Sequence, residues 1–428
     1  MTLGNNAPGA PHLPPEIHDQ IMDCLCEDRP TLKVCTLVCR QWLNRSRFLL
    51  CSAKTILDTR RTVTVLKGLL GQTFQLPLQD VTLRFVNMKM KHLVLLLRGL
   101  RHLRCLNLTP VRILDPTAWL VYKRKFSLKS LTIRLDQASL SDYNHALVNI
   151  LNLFSEVETL DCKPALKSNG KTPMMGYVIE SRHIAARQDE LASLAPEVLQ
   201  DIKIQSLKVS SYYSGFLFVL QNTIAAHSLT FLRATVSRWA HLESLGFLIR
   251  ACGGQLEHLR VSSVALFQDP IPFAGTEQKP WQLLNLSACQ NLKTFVYQAP
   301  LISPLSEDLT IPNSPGHTEC ESLIRVLEGI PTTVEIVALR ICVTHAMEQN
   351  PLEVSMDWSR LQKALLRLDR IVLPNFVEIY LGEIVQGIHG FDFVSLFEEK
   401  LPLLVERNML FLRHVRHDCR DPLPQEEE

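Results

Sequence analysis

A short apolar unit, h-x-x-h-x-h, recurs along most of this chain, and the distance between its copies constrains the fold more than any other feature. Copies read LRCLNL at 103–108, LKSLTI at 128–133, VETLDC at 157–162, IQSLKV at 204–209, LTFLRA at 229–234, LEHLRV at 256–261, LKTFVY at 292–297, IVALRI at 336–341 and FVEIYL at 376–381. LQDVTL at 78–83 precedes them and MLFLRH at 409–414 follows. Their central residues are Val81, Leu106, Leu131, Leu160, Leu207, Leu232, Leu259, Phe295, Leu339, Ile379 and Leu412, separated by 25, 25, 29, 47, 25, 27, 36, 44, 40 and 33. Ile56 lies another 25 before Val81 and extends the series. With 46% of the chain hydrophobic, a single match arises by chance about one time in ten, so the spacing carries the weight. Five of the ten intervals lie between 25 and 29, room for one strand and one helix.

The intervening segments fit that reading. Residues 92–100, 144–154, 239–252, 321–330 and 359–368 are amphipathic at helical spacing. Gly99, Gly253 and Gly329 stand where helix ends are expected. Strand then helix, repeated, predicts an α/β fold of parallel strands backed by helices. The unit and its period resemble leucine-rich repeats. No fixed Asn or Cys follows the unit, so the resemblance implies an irregular leucine-rich-repeat-like solenoid. A doubly wound α/β domain is the competing architecture. It is disfavoured because no Gly-rich phosphate loop follows any of the strands. Residues 163–203 and the Pro- and Ser-rich 299–318 interrupt the series and are expected as surface insertions. The intervals of 36 to 47 leave room for skipped units.

The first fifty residues have a different texture. Residues 1–12 are polar and without periodicity, as in a disordered lead-in. Pro14 and Pro15 then suit the first turn of a helix carrying Ile17, Ile21, Cys24 and Leu25 on one stripe. Asp28 is placed to cap a second helix with Pro30 just inside it. Leu32, Cys35, Val38 and Cys39 form that helix's stripe, and Trp42, Leu43 and Phe48 continue the apolar surface. Three short helices bury too little to be comfortable alone, so a partner or neighbouring domain should complete them.

The run LPPEIHDQIMDCLCEDRPTLKVCTLVCRQWLNRSR resembles an F-box of the form common in fungal proteins. Leu13-Pro14, the Ile17/Ile21/Leu25 series and Leu37-Val38-Cys39-Arg40 followed by Trp42 carry the likeness. The resemblance implies a three-helix module over 13–50 that binds a Skp-family adaptor and, through it, a cullin ubiquitin ligase. It also implies that the remaining 51–420 selects a protein substrate. Carried over residue by residue, the adaptor-facing set is Leu13, Pro14, Ile17, Ile21, Leu25, Leu32, Val38, Cys39 and Trp42. Which of these face the adaptor and which face inward is open at the level of periodicity, and a purely internal helical core is the alternative.

Composition narrows the function classes. The 428 residues carry 45 Lys plus Arg against 43 Asp plus Glu, a net charge of +2, which argues against a nucleic-acid coat. No apolar run approaches the roughly 20 residues that span a bilayer, and the first residues lack a secretory pattern. No membrane or nucleic-acid partner is therefore expected. The twelve cysteines are scattered without a recurring CxxC pair and are expected to pack as small hydrophobes in a reducing cytoplasmic or nuclear compartment. His414, His417 and Cys419 make a poor metal set near the polar tail of 421–428. No GxSxG, HExxH, GxxxxGK or kinase-like set is present, so no cofactor, metal or catalytic residue is expected.

One charge pattern remains. Strand residues between the buried positions should line the inner face. There the bases are Arg104, Lys129, Lys208, Arg233, Arg260, Lys293, Arg340 and Arg413, and the acids are Asp80, Glu158, Asp161, Glu257 and Glu378. The small basic excess suggests an acidic or phosphorylated target segment, with Arg104, Lys208, Arg233 and Arg260 as candidate substrate contacts. An ordinary solvated face is the alternative. The expectation is a non-catalytic substrate-recognition subunit of an SCF-type ubiquitin ligase. The competing classes are an adaptor-bound scaffold without ubiquitin output and an enzyme whose site is assembled from distant residues.

Overall fold

The computed structural model describes residues 14–25, 28–39, 42–43, 45–46, 49–50, 55–58, 62, 78–116, 125–136, 140–163, 201–209, 214–221, 223–236, 239–263, 280–301, 315–343, 356–368, 377–383 and 393–415. Leu13, the lead-in, most of the 163–203 insertion, the middle of the 299–318 insertion and the polar tail lie outside these residues.

Apolar residues in the repeated units fall on strands. The strands are β1 (Thr55–Leu57), β2 (Asp80–Leu83), β3 (Val86–Met88), β4 (Cys105–Ile113), β5 (Phe126–Leu135), β6 (Phe154–Cys162) and β7 (Lys203–Val209). They continue as β8 (Phe231–Val236), β9 (His258–Ser263), β10 (Thr294–Leu301), β11 (Ile336–Val343), β12 (Val377–Glu383) and β13 (Leu410–Val415). Among the described residues they form one sheet in which every pairing is parallel. Apart from β3, which pairs with β4, strand order follows chain order from β1 to β13. A doubly wound sheet reverses its strand order at a switch point. This one does not, and its order is compatible with a solenoid-like α/β fold. β6 pairs directly with β7, and β10 with β11, so no strand stands between these neighbours in the sheet despite the long intervals.

Register sharpens the repeat. Val81, Leu106, Leu131, Leu160, Leu207, Leu232, Leu259, Phe295 and Val337 are successive partners, and each is buried. Four expected members lie off this row: Ile56, and Leu339 together with Ile379 and Leu412, which pair in its register. Thr55, not Ile56, pairs with Val81; Ile56 is exposed, whereas Leu57 beside it is buried opposite Leu83. A one-residue offset turns a strand side chain to the other face, which is why Ile56 misses the core. Val337, not Leu339, pairs with Phe295; Leu339 pairs with Tyr297. That two-residue slip keeps the same face, so Leu339 is buried all the same.

Helices pack on the buried face of the sheet. They include α3 (Met90–Gly99), α4 (Leu140–Leu151), α5 (Ser214–Leu220), α6 (Ile224–Ser228), α7 (Trp239–Cys252), α8 (Pro315–Gly329), α9 (Trp358–Leu366), α10 (Phe393–Lys400) and α11 (Pro402–Glu406). The expected 239–252 helix is reproduced in its bounds. The expected 144–154 helix instead ends at Leu151, and Phe154 opens β6. One core runs continuously from Leu57 to Met409.

Close approaches lock neighbouring units. Gly246 lies inside α7, and a Cβ there would fall 1.5 Å from the Leu283 carbonyl oxygen of the 3-10 turn Pro280–Leu284. Asn285, in the left-handed region at φ 52°, donates from Nδ2 to the carbonyls of Gly246 at 3.1 Å and Leu283 at 2.9 Å. Its Oδ1 accepts from Arg250 at 3.0 Å. Farther along, Arg360 of α9 reaches Glu321 at 2.7 Å and Glu328 at 2.9 Å on α8. Arg367 donates to the Leu327 and Ile330 carbonyls at the α8 C-terminus, where Leu327 also accepts from the Ile330 N–H.

The N-terminal segment contains α1 (Pro15–Cys24) and α2 (Arg29–Val38). Residues 42–43, 45–46 and 49–50 are also helical. Asp28 caps α2 as expected, its carboxylate accepting from the Thr31 backbone N–H at 3.1 Å and Thr31 Oγ1 at 2.6 Å. These bonds hold the Asp28 pKa below its ordinary value. Met22, Leu32 and Cys35 form a small core of their own, flanked by Leu25, Trp42, Leu49 and Leu50. Arg45 ties the later residues to α1 through a bidentate pair with Asp23 at 2.6 Å.

Candidate functional site

Two surfaces follow from this framework. The first lies on α2. Leu32 and Cys35, three residues apart, face the small core. Val34, Leu37 and Val38 lie on the opposite side of the helix and are 62%, 86% and 58% exposed. A helix apolar on two sides has one side left to bury. On α1, Ile17 and Ile21 add two more exposed aliphatic groups one turn apart.

The expected adaptor-facing set divides accordingly. Pro14, Ile17, Ile21, Val38 and Cys39 are exposed. Leu32 is fully buried, so it supports the small core and has no outward surface. Leu25 and Trp42 are half-buried and pack against that core; the Trp42 ring meets His18 edge-on at 6.3 Å. Leu13 lies outside the described residues. The expected stripe of Leu32, Cys35, Val38 and Cys39 does not hold together, because α2 ends at Val38 and Cys39 is extended. Val34 is absent from the sequence reading, and Leu37, part of the run that carries the F-box likeness, is absent from the expected adaptor-facing set, because both fall off the stripe through Leu32. The signal was present as an i, i+3, i+4 triplet, Val34-Leu37-Val38.

The second surface is the face of the sheet away from the helices. Asp161, Lys208, Arg233 and Arg260 are successive partners on β6, β7, β8 and β9. Neighbouring strands stand about 4.8 Å apart, so three bases line up side by side. All four residues are half-buried. Burial pulls the Arg233 pKa below its ordinary value, and the charge of Asp161 works against that shift. Asp161 also pairs with Lys163 at 3.2 Å. Ser206, Phe231 and His258 form the adjoining row on one side. Thr235, Ser262 and Gln298 form the row on the other, with Ser262 bonded to Gln298 at 3.2 Å.

Three of the four expected substrate contacts thus share one row, and Arg104 does not. Arg104 precedes β4 and stands at the rim, its N–H bonded to the Gln79 carbonyl. Lys129, Glu257 and Lys293 are rim residues too, and Lys293 is already paired with Glu257 at 2.9 Å. In h-x-x-h-x-h the third and fifth positions fall on the face that carries these rows, whereas second-position Lys129 and Glu158 have no partner in the β5–β6 register. Arg340 and Arg413 are fifth-position residues in register with Tyr380, one row over from Arg260.

Three of the thiols are held in the unreactive protonated form. Burial pushes the Cys252 and Cys289 pKa values up to about 12 and that of Cys105 up to about 11, so all three stay protonated near neutrality. Cys35, Cys162 and Cys320 are buried as expected of packing residues, whereas Cys24 and Cys39 are exposed. Among the described residues no group of His, Cys, Asp and Glu is placed to hold a metal ion. Nor is any helix among them long and apolar enough to cross a membrane.

Fold and surfaces together define an α/β protein with a large parallel sheet, backing helices, an apolar helical patch and a basic row. No family model matches the chain, and no curated protein matches it.

Proposed function

We propose that this chain is a substrate-recognition subunit of an SCF-type cullin ubiquitin ligase. Its N-terminal helices act as an F-box that binds a Skp-family adaptor, and its leucine-rich-repeat-like sheet body binds a protein target. The observation that carries this reading is the doubly apolar α2. Its outer side presents Val34, Leu37 and Val38 to solvent next to a small core in which Met22, Leu32 and Cys35 are the buried apolar side chains among the described residues. Clustered aliphatic groups of this kind are the centre of an interface that excludes water. The F-box resemblance names the partner that such a patch would meet.

The role needs no bond chemistry from the chain. Holding a target and an adaptor at once makes their encounter intramolecular and raises the effective concentration of target near the ligase. The working compartment under this reading is the cytoplasm, the nucleus or both.

Affinity purification of the tagged full-length protein with mass spectrometry tests it. A Skp-family adaptor and a cullin should be recovered, and Leu37→Asp with Ile21→Asp should remove both. Target abundance should rise when the chain is deleted; adaptor binding with no abundance change in any bound protein would favour a scaffold without ubiquitin output.

A further inference from the structure

We infer that the row Lys208–Arg233–Arg260 is an oxyanion site for an extended protein segment bearing carboxylate or phosphate side chains. The inference names the target chemistry of the proposed role and rests on that role only for the occupant's being a protein.

Like charges directly opposite one another on adjacent strands oppose sheet pairing. Here three bases stand in succession on β7, β8 and β9. Asp161 borders the three bases on β6 and is shared with Lys163, and the other acid in this register, Glu378 on β12, stands three strands past Arg260. A bound anion would add to the relief of that repulsion that Asp161 supplies. The guanidinium groups of Arg233 and Arg260 suit a planar carboxylate or a phosphate through paired N–H donors. Ser206, Thr235, Ser262 and Gln298 border the row with further hydrogen-bonding groups, and Phe231 and His258 add a ring pair 6.2 Å apart.

The row is short. Past Arg260 its next members are Val296 and Ala338. Three bases span about 10 Å across two strand gaps, enough for one or two oxyanionic groups but not for a nucleic-acid backbone tracked over many phosphates. The net charge of +2 supplies no general attraction for a polyanion.

Fluorescence anisotropy on the full-length protein tests this with three labelled Gly/Ser peptides. One carries two Glu, one two phosphoserines and one two unmodified serines; a single-stranded oligonucleotide serves as competitor. At least one anionic peptide should bind more tightly than the serine peptide, and which one binds distinguishes carboxylate from phosphate. Arg233→Gln with Arg260→Gln should weaken that binding by roughly tenfold or more, while Lys129→Gln on the rim leaves it unchanged. Should the double variant melt early, Lys208→Gln carries the test with a smaller loss expected. Equal binding of all three peptides, full binding by the row variants, an equal loss in Lys129→Gln, or preference for the oligonucleotide would overturn the inference. No adaptor is present in this assay, so failure of adaptor binding elsewhere would strike the ligase role and leave this result standing.

Discussion

In the sheet body, aliphatic side chains at successive ladder positions sink into one core running from Leu57 to Met409. In the N-terminal helices the buried apolar side chains among the described residues are Met22, Leu32 and Cys35, while Val34, Leu37 and Val38 face outward. The same residue types therefore do different work in the two regions. Repetition lets each unit of the body cover its neighbour, so apolar surface is consumed internally. Among the described residues nothing covers the outer side of α2, and Val34, Leu37 and Val38 stay exposed.

This contrast predicts a graded series of mutational effects. Phe295→Ala empties a fully buried ladder position. It should cost about 3–5 kcal/mol in denaturant unfolding of the body while leaving adaptor capture by the folded fraction intact. If it also abolished capture at full folding, the two regions would not be separable as described.

Gly246→Ala should rank next. Its new methyl meets the Leu283 backbone carbonyl, which cannot swing aside as a side chain would. A loss of about 1–3 kcal/mol, seen as a lower denaturant midpoint, is expected. An unchanged midpoint would show that α7 and the 3-10 turn are less tightly apposed.

Arg360→Ala removes the clip between α9 and α8. Because these ion pairs are partly exposed, the loss should be about 1 kcal/mol at neutral pH. Glu321 adds a pH signature. Burial pushes its pKa up, but hydrogen bonds from Arg325 and Arg360 outweigh that and hold it below the ordinary 4.5. A depressed folded-state pKa gives stability that is present above the unfolded value and lost as pH falls through the folded one. The gap between wild type and Arg360→Ala should therefore close below about pH 4.5, as measured by thermal melting across pH.

Leu37→Asp should change stability least. An exposed substitution of this kind stays within about 0.5 kcal/mol. Leu32→Ala, five residues earlier, should disrupt the helices outright, measurable as protease sensitivity of the N-terminal segment. The opposite behaviour of the two leucines on one helix is the sharpest local form of the comparison.

What could be read from the sequence follows the same division. The parallel α/β plan was legible because five intervals of 25 to 29 cannot easily arise from scattered apolar residues. Ladder membership at Ile56 and Leu339 was not, since a one- or two-residue slip leaves the apolar pattern looking the same. The basic excess was visible, but a count over the units mixed rim residues such as Arg104 and Lys293 with the fifth-position residues Lys208, Arg233 and Arg260. Only strand register separates them. In the helices, spacing grouped Leu32 with Val38, yet the helix ends at Val38 and the two leave on different sides. Which apolar side of α2 turns inward depends on where α1 and Trp42 pack, which no local pattern encodes.

The most direct test of the central claim is size-exclusion chromatography with light scattering of the purified full-length chain mixed with a purified Skp-family adaptor. The account predicts a stable one-to-one complex for the wild type and separate peaks for Leu37→Asp, which remains folded by circular dichroism. A folded wild-type chain that elutes apart from the adaptor, or a Leu37→Asp variant that binds it as well as the wild type, would contradict the account.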